Sequence, residues 1–209
     1  MDFQTARKVM VDSQVRVNDV TDRALQAALL AVPREALCAP DRAFSAYAEV
    51  EVPVTARRSL MLPRDLSKLL MAAAPKPGER ALVMSGAYAA AVLAQMGLDV
   101  TLQESDAEAL AIAAPTLSAA GVTTVEAPLD RPQSGGWDLI VSEVAVPVRP
   151  DAWLDALKVG GRAVLVERNG PVGKASLHMR TPEGWSRRQL FDATPPVLDE
   201  LRPEPAFSL

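Results

Sequence analysis

The acid Glu104 closes the apolar run DVTLQE and is the first residue here with evident chemistry. If that run is a strand, Glu104 stands at its carboxyl end. An acid in that place accepts hydrogen bonds from the ribose hydroxyls of a nucleotide-type cofactor. Its plainer reading is a surface acid at a strand end. Upstream, RALVM is followed by Ser85, Gly86 and Ala87, and then by the helix-like AYAAAVLAQMG. A strand-to-helix turn of this kind aims backbone N–H groups at a carboxylate or phosphate. Ser85 reads equally well as a simple helix N-cap. Ser142 and Glu143 sit at another strand end, after WDLIV, and would wall the same crevice. The candidate cofactor contacts are therefore Ser85, Gly86, Ala87, Glu104 and Ser142. Other chemistry is poorly supplied. The chain has one cysteine, Cys38, and one histidine, His178, far apart. That spacing supports no disulfide, no metal cluster and no Cys–His nucleophile pair, so no metal is expected.

These residues need a frame. Residues 1–78 read as a helical segment and 79–209 as a regular alternation of strands and helices, packed together as one unit. Phe3 to Val15 has apolar residues at helical spacing, and a second helix, with Thr21 as cap candidate, runs to about Ala31 before Val32-Pro33. Residues 39–58 suggest a loop with one short strand, EVEVPV, and Pro63 opens a further helix. Beyond Arg80 come RALVM, a helix stopped at Gly97, DVTLQE, a helix that Pro115 should kink or break, VTTVEA, WDLIVSEVAV, a short helix ending in the Gly160-Gly161 turn, and RAVLVER. KASLHMR and GWSRRQLF alternate with period two around TPEG, as an antiparallel hairpin on a sheet edge. The proline-rich ATPPVLDELRPEPAFSL suggests a surface wrap without regular structure. The expected fold is α/β: a Rossmann-like, mostly parallel twisted sheet with helices on both faces, an N-terminal helical addition and a C-terminal antiparallel hairpin.

Bulk properties narrow the partners. A chain of 209 residues, 49% hydrophobic, can bury one substantial core. The formal net charge of −4 gives no footprint for nucleic acid, and the pairs Arg57-Arg58 and Arg187-Arg188 read as solvated faces. MDFQTARKVMVDSQVR shows no signal pattern, and no apolar run approaches a membrane span. A cytoplasmic protein with no nucleic-acid or membrane partner is expected.

KVMVDSQVRVNDVTDRALQAALLAVPREALC resembles the opening of the protein-L-isoaspartate O-methyltransferase family. KPGERALVM and GWDLIVSEVAVPVRPDAWLDALKVGGRAVLVE are similar to its cofactor domain, and the ending to a short bacterial branch. The resemblance covers nearly the whole chain. It implies a class I methyltransferase fold with S-adenosylmethionine as methyl donor. The substrate would be the α-carboxyl of an L-isoaspartyl residue in damaged protein, and its esterification would start repair. Such a reaction rests mainly on proximity and orientation. The resemblance places Ser59, Met61 and Pro63 on the substrate side.

The chain departs from the family pattern at two points. The turn after RALVM is about two residues short, with Val83 in place of an acid, Ser85 at the first glycine and Ala87 near the last. The family's T-x-S-x-P signature stands here as Ser59-Leu60-Met61-Leu62-Pro63, so Met61 supplies no hydroxyl. Two readings follow: an S-adenosylmethionine-dependent carboxyl methyltransferase, or a catalytically inactive methyltransferase-fold protein that holds no cofactor and binds a protein partner. A nicotinamide-dependent dehydrogenase would also use Glu104, but it needs the same glycine-rich turn and an evident proton donor.

Overall fold

The computed structural model describes residues 2–202. Helix α1 (Phe3–Met10) is capped by Asp2, whose side chain accepts the N–H of Thr5. It widens into a π-type turn over Val11–Val15, which turns Val11, Gln14 and Val15 inward together, and ends in a short 3-10 turn. The expected single helix is thus three joined pieces. Helix α2 (Arg23–Ala31) takes its cap from Asp22, whose side chain accepts the N–H of Leu25, one position after the expected Thr21. The short strand expected in EVEVPV shrinks to β1 (Val52–Pro53), paired antiparallel with β2 (Ser59–Leu60). Helix α3 (Pro63–Ala73) opens on Pro63 and stops at Ala74, a left-handed residue with φ of 46°. Arg162 ties that end down by donating to the carbonyls of Ala73 and Ala74.

The alternating half forms β3 (Arg80–Met84), α4 (Ala87–Gln95), β4 (Asp99–Glu104), α5 (Ala107–Ala119), β5 (Thr123–Glu126), β6 (Trp137–Val146), α6 (Asp151–Asp155), β7 (Leu157–Glu167), β8 (Gly173–Thr181) and β9 (Gly184–Ala193). The seven longer strands make one sheet in the order β5-β4-β3-β6-β7-β8-β9. Pairing is parallel from β5 to β7 and antiparallel from β7 through the β8–β9 hairpin. Period-two alternation sends Ala81, Val83, Leu139, Val141, Val164 and Val166 to one face, where they share a core with the N-terminal helices, α3, α4 and α5. Leu82, Met84, Ile140, Ala163 and Leu165 face the other way, toward Trp153 and Leu154 of α6 and Leu129 of the loop between β5 and β6.

Three expectations need amendment. Pro115 neither breaks nor ends α5, which continues to Ala119. The missing donor and the ring's crowding of the preceding turn fall on the exposed side of the helix, while Ala113 and Leu117 stay buried on either side of Pro115. The Gly160-Gly161 turn lies inside β7, between Leu157 paired with Trp137 and Arg162 paired with Leu139. The segment after β9 is not wholly irregular: Val197 forms a parallel bridge with Ala145 of β6, and Asp199–Leu201 make a 3-10 turn. Residues 203–209 of the proline-rich ending lie outside the described residues.

Candidate functional site

The chain steps outward from β3 to β4 and β5, then returns to place β6 on the other side of β3. In an open α/β sheet, that reversal opens a crevice at the carboxyl ends of the strands. A cavity lies there, bounded by Ser85, Gly86 and Ala87 after β3, Glu104 at the end of β4 and Glu143 of β6. Its volume is about 30 Å³, against roughly 300–1,000 Å³ for pockets that hold whole organic ligands. Space for only a water or two remains.

The side chains that fill the crevice are specific. Glu104 is buried, and its Oε1 accepts from Arg58 Nε at 2.9 Å and Arg58 Nη2 at 2.7 Å, as well as from the N–H groups of Ser105 and Asp106. Its Oε2 accepts from Ser85 Oγ at 2.6 Å. Ser85 adopts φ of 58°, left-handed for a non-glycine residue. The Arg58 side chain is 8% exposed and that of Glu104 4%. Burial works against the Arg58 charge, but the bonds and charges of Glu104 and then Glu200 more than offset it and raise the guanidinium above its ordinary value. Arg58 Nη2 also reaches Glu200 Oε1 at 2.7 Å, from the 3-10 turn beyond the sheet.

Glu143 blocks the second half of the crevice. Its Oε1 accepts the N–H of Ala89 at 2.6 Å, and its Oε2 lies 3.4 Å from the N–H of Met61. The carboxyl therefore caps the open N-terminus of α4, whose Gly86 N-cap offers no side chain. Gly86 itself, at φ of 152°, has its bare face against Glu143: a Cβ there would come within 2.7 Å of Glu143 Cγ. Burial pushes the Glu143 carboxyl above its ordinary range, although the Ala89 N–H and the nearby Arg34 charge pull it back. Arg34 is fully buried, donates to the carbonyls of Ala46 and Met61 and lies 4.7 Å from the centre of the Tyr88 ring. Burial likewise raises the Tyr88 phenol.

No protein-family model matches the chain. Over 200 residues, covering 93% of this chain and 87% of the relative, it is 32% identical to the protein-L-isoaspartate O-methyltransferase of Methylorubrum extorquens (strain PA1). The chain belongs to the protein-L-isoaspartate O-methyltransferase family. The enzyme of that name from Gloeobacter violaceus is 30% identical over 195 residues, 87% of this chain and 93% of the relative. Among solved structures, a Plasmodium falciparum protein assigned to the same family, in complex with S-adenosyl-L-homocysteine, superposes with a TM-score of 0.79 at 15% identity, over 93% of this chain and 98% of that one. A second structure, named protein-L-isoaspartate O-methyltransferase, gives 0.76 at 18% identity, with 91% of this chain matched to 65% of that one. These two likenesses confirm the Rossmann-like methyltransferase fold with its C-terminal antiparallel hairpin.

Within this family frame, the residues singled out from sequence divide into two groups. Ser59, Ser85, Gly86, Ala87 and Glu104 border the cavity. Met61 and Pro63 do not: both are buried, and Met61 packs in the main core with its backbone between Arg34 and Glu143. Ser142 is turned away too, its hydroxyl engaged with the backbone of Val144. Ser85 is not the N-cap of α4, because its hydroxyl goes to Glu104. Sequence reasoning missed Arg58 altogether, since an adjacent arginine pair suggests a solvated face. Arg57 is exposed as expected, and Arg58 is not. The available signal was its place beside Ser59-Leu60, in a segment where residues alternate between inside and outside. Among the described residues, no group of three His, Cys, Asp or Glu side chains could hold a metal, and no helix is long and apolar enough to cross a membrane.

Proposed function

We propose that this chain is a protein carboxyl methyltransferase that uses S-adenosylmethionine to esterify the α-carboxyl of L-isoaspartyl residues in damaged protein. The observation that carries this reading is the placement of Glu104. It ends β4 beside the Ser85-Gly86 turn of β3, at the crevice where the sheet order reverses. Relatives named for this activity, about 30% identical over most of the chain, support it. The proposed cofactor contacts are Glu104 and the backbone of Ser85, Gly86 and Ala87, with Ser59 on the substrate side.

The cleft as it stands does not accept that cofactor. A ribose diol needs the Glu104 oxygens, and Arg58 and Ser85 already use both. A carboxylate would need the N-terminus of α4, and Glu143 already caps it. The test is transfer of labelled methyl groups from S-adenosylmethionine to an isoaspartyl peptide, with the aspartyl isomer as control. Incorporation that depends on the isoaspartyl form and falls in Glu104→Ala supports the reading; none above background rejects it. The self-filling of the crevice favours a second reading, a non-catalytic member of the fold that binds a protein partner. Calorimetric titration with S-adenosylhomocysteine separates the two, because only the enzyme needs to bind it.

A further inference from the structure

We infer that Arg58 is a gate, and that the ligand space of this protein is the inner cavity joined to an outer groove which the Arg58 side chain now walls off. The groove measures about 460 Å³ and is lined by Thr55, Arg57, Pro196, Val197 and Glu200, together with Arg58 and Ser59. Among the described residues, only Arg58 and Ser59 border both spaces. Neither space alone suits a nucleoside-sized ligand: the inner one is too small, and the outer one does not reach the end of β4. Displacement of one side chain merges them. The inference rests on the reading of the crevice as a cofactor site, and adds to it what closes that site.

Three features fit a side chain that moves. First, Arg58 Nη2 donates to two carboxylates, Glu104 and Glu200. Glu104 lies inward, with its side chain 4% exposed, and Glu200 lies at the rim, with its side chain 32% exposed. A guanidinium that leaves Glu104 keeps an ionic partner in Glu200, so opening exchanges pairs and does not leave the Arg58 charge bare. Second, Glu104 remains partly satisfied when Arg58 departs, by Ser85 Oγ and by the N–H groups of Ser105 and Asp106. The acceptor capacity then freed is what vicinal hydroxyls require. Third, the hydroxyl of Ser59, on the boundary of both spaces, is buried with no hydrogen-bond partner among the described residues. A buried hydroxyl left unpaired in the closed state is relieved by a ligand in the open one. Arg58 and the hydroxyls of a ligand thus compete for the same oxygens, and the closed state is one in which the protein serves as its own ligand.

The test is calorimetric titration of the full chain with S-adenosylhomocysteine, comparing wild type, Arg58→Ala and Arg58→Gln. Circular dichroism melts confirm that each variant is folded, and the glutamine variant preserves most of the side-chain volume should alanine prove unstable. The expected result is a dissociation constant at least about tenfold lower in a folded Arg58 variant than in wild type, with the gain lost when Glu104→Ala is added. A tenfold change corresponds to removal of a closed state populated about ten to one. Submillimolar binding by wild type that the Arg58 variants leave unchanged overturns the gate and leaves the cofactor reading standing. Absence of binding at millimolar ligand in wild type and in both folded variants overturns the gate and the cofactor reading together.

Discussion

Glu143→Gln tests whether the carboxyl at the head of α4 is buried against its own charge. The side chain has essentially no contact with water, and its neighbours are the Ala89 and Met61 N–H groups, Arg34 and Tyr88. Burial raises its proton affinity above the usual value of 4.5, and the Ala89 N–H and the Arg34 charge oppose this without cancelling it. A carboxyl raised on folding stabilises the fold most while protonated. Its contribution is complete below the unfolded value and is lost as pH rises through the folded one. Between those two values, wild type loses up to about 1.4 kcal/mol per pH unit at this position. Glutamine does not titrate, still offers an oxygen to the Ala89 N–H and loses nothing over that interval. Urea unfolding of both proteins, from about pH 4.5 to about pH 8, measures the difference directly. The variant should gain on wild type as pH rises and then hold a constant lead. A difference that stays flat, or moves toward wild type, would refute the reasoning, since the α4 N-terminus and Arg34 would then be binding the anion outright. Glu143→Ala provides the scale: it leaves the buried Ala89 N–H without its acceptor, at a cost of about 1–3 kcal/mol at the acid end of the range, and that cost should shrink as pH rises because only wild type titrates at this position.

The neighbouring positions carry their own expectations. Gly86→Ala drives a Cβ to within 2.7 Å of Glu143 Cγ at a φ of 152°, and should lower stability by about 2–4 kcal/mol. Combined with Glu143→Ala the two losses should be less than additive, as a double-mutant cycle would show. Ala74→Gly relieves the left-handed end of α3 and should raise stability by about 0.5–1 kcal/mol in chemical unfolding. Pro115→Ala restores a donor on the exposed side of α5 and should add about 2 kcal/mol, read as a higher melting temperature.

Much of the fold was legible because it depends on local pattern. Ala81 and Val83 against Leu82 and Met84 declare a strand buried on both faces, and Gly97 and Pro63 mark helix ends where the structure has them. The crevice was legible for the same reason: once strands and helices alternate, strand ends locate it, and Ser85 and Glu104 follow. The occupants of the crevice were not. Arg58 and Glu104 are 46 positions apart, Arg58 and Glu200 142. The alternation beside Ser59-Leu60 turns Arg58 inward and Arg57 outward, but it does not say which carboxylates Arg58 meets. The inward packing of Met61 escaped notice on similar grounds, because a family pattern fixes a position along the chain but not which way a substituted side chain turns. The joined pieces of the first helix escaped notice because Val11, Gln14 and Val15 sit inside together only when the turn widens.

The pairing of Arg58 with Glu200 also sets an order of events during synthesis. A nascent chain emerges N-terminal end first, so the β1–β2 hairpin, Glu104 and most of the sheet are out of the ribosome well before the segment that carries Val197 and Glu200. Until that segment arrives and bridges to Ala145, Arg58 has Glu104 alone as a carboxylate partner. The outer wall of the groove, made in part by Pro196 and Glu200, does not yet exist. Completion of this cleft is therefore among the last acts of folding, and a chain stalled short of residue 196 would hold Arg58 on Glu104 with no carboxylate at the rim to receive it.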